Sequence, residues 1–346
     1  MVGVMNWGVR PPSREIKKMP KPSGVDRIPP SWKSLLASAM LLFLVASPQA
    51  VNAGEAGTSH VMPGATATLT DLPSSAPGPF FKPMYLNYNG KASARIPTSA
   101  GLTTNLEAIA NTLAMGGGYT FEKTVLGGAH YSFAAFLPYT WMDVSGNVQG
   151  PDGGAVARVN NEVSGFGDLT VVPLMLAWKT GHWQLDTMLP VYAPTGSYEK
   201  GRLGNPGLNY WTFDPNVGAA YSNKKSGFNA MLRLGYALNT ENSATDYQSG
   251  SLFHFEGAIQ QILPVGSSFL TLGAEGFYFE QVTDDSGSGA VLGRFKGMTA
   301  GLGPVLGYIH PFGKRSLVVE LKWLAELDTK NRLDGDYIWL KLVYKL

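Results

Sequence analysis

The chain has 346 residues, of which 44% are hydrophobic, 11% aromatic and only 15% charged, and 42 are glycine. Soluble domains carry about 25% charged residues, so a surface this poor in charge must face something other than water. Cysteine is absent, which excludes disulfides, thiolate metal sites and a cysteine nucleophile. The small net positive charge comes from the first 53 residues, and the slightly acidic remainder excludes a basic nucleic-acid surface.

Lys33 precedes an apolar run, LLASAMLLFLVA over residues 35–46, followed by Pro48 and then by Val51 and Ala53. A positive flank, a short apolar core and small residues before the cut predict a secretory signal peptide cleaved after Ala53. The run is shorter than the roughly 20 residues a spanning helix needs. Residues 1–53 are therefore expected to be a leader for export through the Sec pathway. Residues 54–83 are rich in Pro, Gly, Ser and Thr without a period, and predict an irregular arm or plug.

From Met84 onward the pattern has a period of two, the signature of strands with one apolar face. Phe228, Ala230, Leu232, Leu234, Tyr236 and Leu238 share one face, opposite Asn229, Arg233 and Asn239. The same split recurs near the chain end, where Ile338, Leu340 and Leu342 oppose Lys341 and Lys345. Counting such segments predicts strands at 84–95, 107–121, 126–144, 167–179, 182–193, 210–222, 227–240, 251–263, 268–282, 293–310, 316–328 and 335–346. In the second of them, LEAIANTLAM also fits a short helix.

Alternate connections are short, as at 122–125, 180–181 and 264–266, while the others are long and polar, as at 145–165 and 194–209. Tight turns at one end and long loops at the other, on an even number of up-and-down strands, predict an all-β transmembrane antiparallel barrel of about 12 strands over residues 84–346. Closure follows from backbone chemistry, because only a closed sheet leaves no unpaired edge in lipid. Trp141, Trp183, Trp211, Trp323 and Tyr308 near strand ends are expected in interfacial girdles. Such a protein belongs in the bacterial outer membrane, with outer-membrane lipid and the barrel-assembly machinery as partners.

On the apolar-out convention the lumen receives Asp186, Arg233, His254, Glu256, Glu275, Glu320, Lys322 and Lys341, with Phe277 and Phe279 among them, and these ten are the expected solute path. Asn87, Lys91, Arg95, Glu107 and Asn216 are assigned inward by the same rule. Charges of both signs suit either transverse bracing or a polar path, and inward phenyl rings suit a solute with an apolar face. A closed structural or adhesion barrel is the alternative. A hydrolase ranks third: His130 and Ser132 share a face, but it is the lumen face, and no Gly-x-Ser-x-Gly elbow occurs. The five histidines show no metal-ligand spacing, so no metal or cofactor is expected.

Three stretches carry a resemblance: EAGTSHVMPGA followed by PGPFF, the segment GFGDLTVVPLMLAWKTGHWQLDTMLPVYAPTGSYEKG, and the ending NRLDGDYIWLKLVYKL. Together they resemble the outer-membrane protein family named after the meta-pathway of phenol degradation. Gly165 to Asp168 paired with Pro194 to Tyr198 is the more specific element. The resemblance implies a transporter-like barrel for passive uptake of small hydrophobic or aromatic compounds, and it brings no catalytic residues with it.

Overall fold

The structure, a computed structural model, describes residues 58–92, 96–98, 100–149, 156–290, 296–313 and 315–345. The expected leader and Arg95 lie outside them. Among the described residues every regular element is a strand. In chain order the first five are β1 (Gly78–Phe81), β2 (Met84–Ala92), β3 (Ile96–Thr98), β4 (Gly101–Val125) and β5 (Ala129–Gln149). Then come β6 (Val156–Phe166), β7 (Leu169–Thr180), β8 (Trp183–Ala193), β9 (Thr212–Phe213), β10 (Asn216–Ser222) and β11 (Phe228–Asn239). The last five are β12 (Leu252–Val265), β13 (Ser268–Gln281), β14 (Met298–Phe312), β15 (Arg315–Lys330) and β16 (Asp334–Lys345).

Twelve of these, β2, β4, β5, β7, β8 and β10 through β16, pair antiparallel with their neighbours into one ring. The seam joins first to last: Lys341 pairs with Met84, Asp334 with Lys91, and below them Phe80 of β1 with Lys345. Pro83 has no N–H for the ladder, so β1 and β2 are two pieces of one wall position. The turns at the seam's lower end are tight, and Gly181 and Gly266 sit there with φ of +56° and +60°. A two-residue hairpin needs a left-handed residue, which glycine supplies without steric cost.

One open expectation about elements is decided in favour of the strand, and one changes. The segment LEAIANTLAM is strand throughout, inside the 25-residue β4. Its flanks decide this, because β2 and β5 pair along both of its edges. The expected long loop at 145–165 is largely a hairpin extension of the wall, in which β6 returns alongside β5 from Gln149↔Val156 to Tyr139↔Phe166. Arg158, Asn160 and Glu162 make its exposed face polar, while Val159 on the other face packs toward Leu106 and Val144.

The outer surface is the apolar one. Leu302 and Ile259 are each 56% exposed, Trp183 and Trp323 each 52%, and Leu272, Leu306 and Leu321 are comparably bare. Burying such a belt in lipid supplies the hydrophobic driving force that a soluble fold would find in its core.

The side facing the lumen on β2 and β4 is opposite to the expected one. Leu86, Ala92, Leu106 and Ala108 are buried and inward. Asn87, Lys91 and Glu107 therefore point outward. Asn87 donates to the Asn111 side-chain Oδ1 at 2.9 Å, as does the Tyr85 hydroxyl at 2.7 Å, and exposed Glu107 pairs with Arg158 at 3.6 Å. The convention of apolar out and polar in fails here because the lumen wall is itself apolar.

Candidate functional site

The arm enters the ring at its tight-turn end, where it precedes β1, and runs up the lumen to the long-loop end. At the bottom, Lys345 bonds the Ser74 hydroxyl and the Gln184 amide donates to the Pro73 carbonyl at 3.0 Å. In the middle the arm's backbone meets the wall. Glu256 accepts from the Gly64 and Thr66 N–H groups, both at 3.0 Å, and from the Thr66 hydroxyl at 2.8 Å. Lys322 and Lys341 both donate to the Gly64 carbonyl, at 2.8 and 2.7 Å. At the top, His60 bonds Thr212 at 2.7 Å and Asp168 at 2.9 Å, and stacks on Tyr192 with ring centroids 4.9 Å apart.

Asp71 is the arm's own charged anchor. Lys82 and Lys341 each reach its Oδ1 at 2.7 Å, and Lys322 its Oδ2 at 3.2 Å. Thr68 turns its hydroxyl and N–H onto the same carboxylate, which caps a tight turn over residues 68–71. No sequence signal marked Asp71, since the arm has no period from which an inward face could be read.

The ten residues expected along a solute path are brought together, but on the arm. Arg233 pairs with Asp186 at 2.7 Å, bonds Asn216 at 2.8 Å and donates to the Thr66 carbonyl at 3.0 Å. Lys322 pairs with Glu275 at 2.8 Å, and Glu320 accepts from the Thr68 and Thr70 hydroxyls at 2.7 and 2.8 Å. His254 pairs with Asp214 at 2.8 Å and stacks on Phe279, while Phe277 and Phe279 pack with Val61, Leu324, Tyr337 and Trp339. With Glu256 and Lys341 these side chains are buried, and none of the ten borders the lumen cavity. Charges removed this completely from water persist only when paired, and each of these has an opposite charge or a hydrogen-bond partner within reach. Nearby glycines give them space: a Cβ at Gly235 would sit 2.1 Å from the His254 ring, and one at Gly218 would meet both Asp186 and Arg233.

The cavity lies on the opposite side of the arm, with a volume of about 640 Å³. Its wall comes mainly from β2, β4, β5, β7 and β8, with parts of β15 and β16. Leu106, Ala108 and Val144 pack with Leu203 and Leu333 at the upper end. Ala110, Ala114 and Met142 follow at mid-height, and Ala134, Phe136, Val172, Met175 and Met188 lie below. Thr112 and Thr140 interrupt the wall but bond each other at 2.8 Å, so they present little polarity to the lumen. The lumen is therefore two-sided, with a charged half that grips the arm and an apolar half that leaves a gap beside it.

The loop over residues 194–209 roofs that gap, and Asp168 holds it in place. The Asp168 carboxylate accepts from the Gly196 N–H at 2.8 Å and the Leu208 N–H at 2.6 Å, besides its bond to His60. Burial works to raise this carboxyl, but the His60 hydrogen bond and the two N–H donors hold it below the usual carboxylate value. A Cβ at Gly196 would fall 2.7 Å from the Gly167 backbone and 2.8 Å from Gly207. The Gly-x-Gly-Asp and Pro-Thr-Gly elements thus meet as three touching backbones that tie loop, wall and arm together.

Ser132 donates to Thr120 at 2.9 Å, and no His130–Ser132 bond forms, so the pair lacks the contact that activates a nucleophile. Among the described residues no group of three or more His, Cys, Asp or Glu side chains is arranged to hold a metal ion.

The ring has the fold of bacterial outer-membrane barrels. It is similar to the COG4313 outer membrane channel from Pseudomonas putida F1, at 15% identity and a TM-score of 0.58, over 83% of this chain and 100% of that one. More distant is the β domain of the Bordetella autotransporter BrkA, at 11% identity and a TM-score of 0.47, over 79% of this chain and 100% of that one. Comparison with curated protein sequences yields no match. The family model for the MetA-pathway of phenol degradation matches residues 93–342, which take in eleven of the twelve ring strands from β4 onward. The chain, an outer-membrane β-barrel with its arm folded into the lumen, belongs to that family.

Proposed function

We propose that the barrel passes small hydrophobic or aromatic compounds across the outer membrane, along the apolar half of the lumen beside the arm. The observation that carries this reading is the cavity of about 640 Å³ between the arm and the wall of β2, β4, β5, β7 and β8. Its lining reaches from Ser74, Val343 and Lys345 at the tight-turn end to Leu203 and Leu208 in the outer loop. A compound with an apolar face loses hydration favourably against such a wall. The ion pairs that hold the arm also support a second reading, a permanently closed barrel.

Uptake of radiolabelled toluene by lipopolysaccharide-covered cells, with and without the protein, tests the first reading. Initial rates should rise several-fold with the protein present, and equal rates would defeat it. In planar bilayers, deletion of residues 58–77 should raise ion conductance through the emptied lumen. No opening in either protein would favour the closed barrel.

A further inference from the structure

Arg332 lies between β15 and β16 at the upper end of the cavity and borders it together with Tyr88, Leu333 and Tyr337. Its side chain is 11% exposed, and its Nη2 donates to the Tyr337 hydroxyl at 3.1 Å. Its Nε is buried and has no hydrogen-bond partner among the described residues. A buried donor left unmet is costly, and buried N–H groups in folded proteins are almost always satisfied.

Glu326 does not meet this need. Its nearer oxygen is 3.6 Å from Nη2, beyond hydrogen-bonding reach. Its oxygens are occupied instead by the hydroxyls of Tyr88 at 3.0 Å, Tyr337 at 3.1 Å and Thr299 at 2.9 Å, and by the Gly335 N–H at 2.8 Å. The carboxylate does offset the guanidinium charge, so the corner is close to neutral while keeping a spare donor. Beside that donor, the Tyr88 and Tyr337 rings lie 4.6 Å apart, tilted by 37°, and Leu106, Leu203 and Leu333 close the apolar side.

We infer that this corner is a binding subsite for an aromatic ring bearing a neutral oxygen acceptor, with the oxygen on Arg332 Nε and the ring between the tyrosines and the leucines. The subsite rests on the proposed passage of aromatic compounds and gives it a selectivity that the apolar wall alone would lack. An oxygen acceptor satisfies the donor, a bare hydrocarbon leaves it unmet, and a full anion meets the nearby Glu326 charge. Sites built to hydrogen-bond a ligand reject analogues that lack the bonding group far more strongly than an apolar pocket does.

Saturation-transfer NMR on the full mature protein in lipid nanodiscs tests the subsite independently of transport, with acetophenone, ethylbenzene and benzoate as probes. Acetophenone should bind about tenfold more tightly than ethylbenzene or benzoate, and Arg332→Met should abolish its preference over ethylbenzene by weakening acetophenone binding. Arg332→Lys, which keeps a positive charge near Glu326 but loses the Nε donor, should retain only part of it; this variant stands in if the methionine variant does not fold. Equal binding of acetophenone and ethylbenzene, or a preference that survives both substitutions, would overturn the inference. If the preference holds but cellular uptake of toluene does not change, the transport reading falls and the subsite stands.

Discussion

Asp71 concentrates the electrostatics of the lumen at one side chain, because three lysines from the wall and the arm's own end converge on its two oxygens. Replacing it with Asn keeps the shape and removes the charge, which leaves Lys82, Lys322 and Lys341 buried with too little to pair with. Breaking a buried ionic cluster in this way costs about 3–5 kcal/mol. The expected result for Asp71→Asn is a lower midpoint in guanidinium unfolding of the detergent-solubilised protein, and an unchanged midpoint would contradict the role given to Asp71. The wall half of this cluster was legible in the sequence: period-two alternation gives the inward side of β11 to β16, hence Arg233, Glu256, Glu275, Lys322 and Lys341. What those charges hold was not legible, because the partner groups are largely backbone N–H and C=O of an aperiodic segment, which no residue pattern encodes.

At the scale of elements, the apolar lumen wall shows where alternation misleads. On β2 and β4 both faces are rich in apolar or small residues, so the sparse Asn, Lys and Glu decided the assignment, and they decided it the wrong way. A substitution pair tests the orientation directly. Ala110→Lys places a charge in the cavity wall and should lower toluene uptake about tenfold with the barrel intact, the penalty expected for a charge beside an apolar path. Ile109→Lys, one residue away on the outer face, adds no charge to the cavity wall and should leave toluene uptake unchanged. The reverse outcome would return β4 to the opposite orientation.

The outer loops have a chemistry of their own. Asp285 accepts from the Gly250 N–H at 2.9 Å, from the Gln281 amide at 2.7 Å and from the Tyr247 hydroxyl, which links the 240–250 and 283–290 loops. Burial pushes its carboxyl up to about 7 against the pull of these three donors, with Asp284 adding to the rise. Between the ordinary value near 3.8 and about 7 the closed loops hold a proton that the opened loops release. Closure is therefore favoured at acid pH, and that advantage is lost as pH rises through about 7. Hydrogen exchange at the Ser286 N–H, corrected for its intrinsic rate, should be slower at pH 5 than at pH 8, by up to roughly a hundredfold. A flat corrected profile would refute this coupling.

For the whole molecule, strand number, closure and the contrast between tight turns and long loops were readable, because lipid imposes a single solution on backbone hydrogen bonding. The filling of the lumen was not readable, because the same inward charges would serve an open polar pore. The arm's position also carries a consequence for assembly. Glu256, on β12, can hold Gly64 and Thr66 while the sheet is still an open ribbon, but Lys322 and Lys341 belong to the last two strands. The arm leads directly into β1, so when Phe80 meets Lys345 the ring shuts around it. First-to-last pairing is the strand pairing of longest range in the chain, and pairing of that range is intrinsically slow to form. Sealing the membrane wall and filling its interior are thereby a single step in biogenesis, and the finished barrel never has to be threaded.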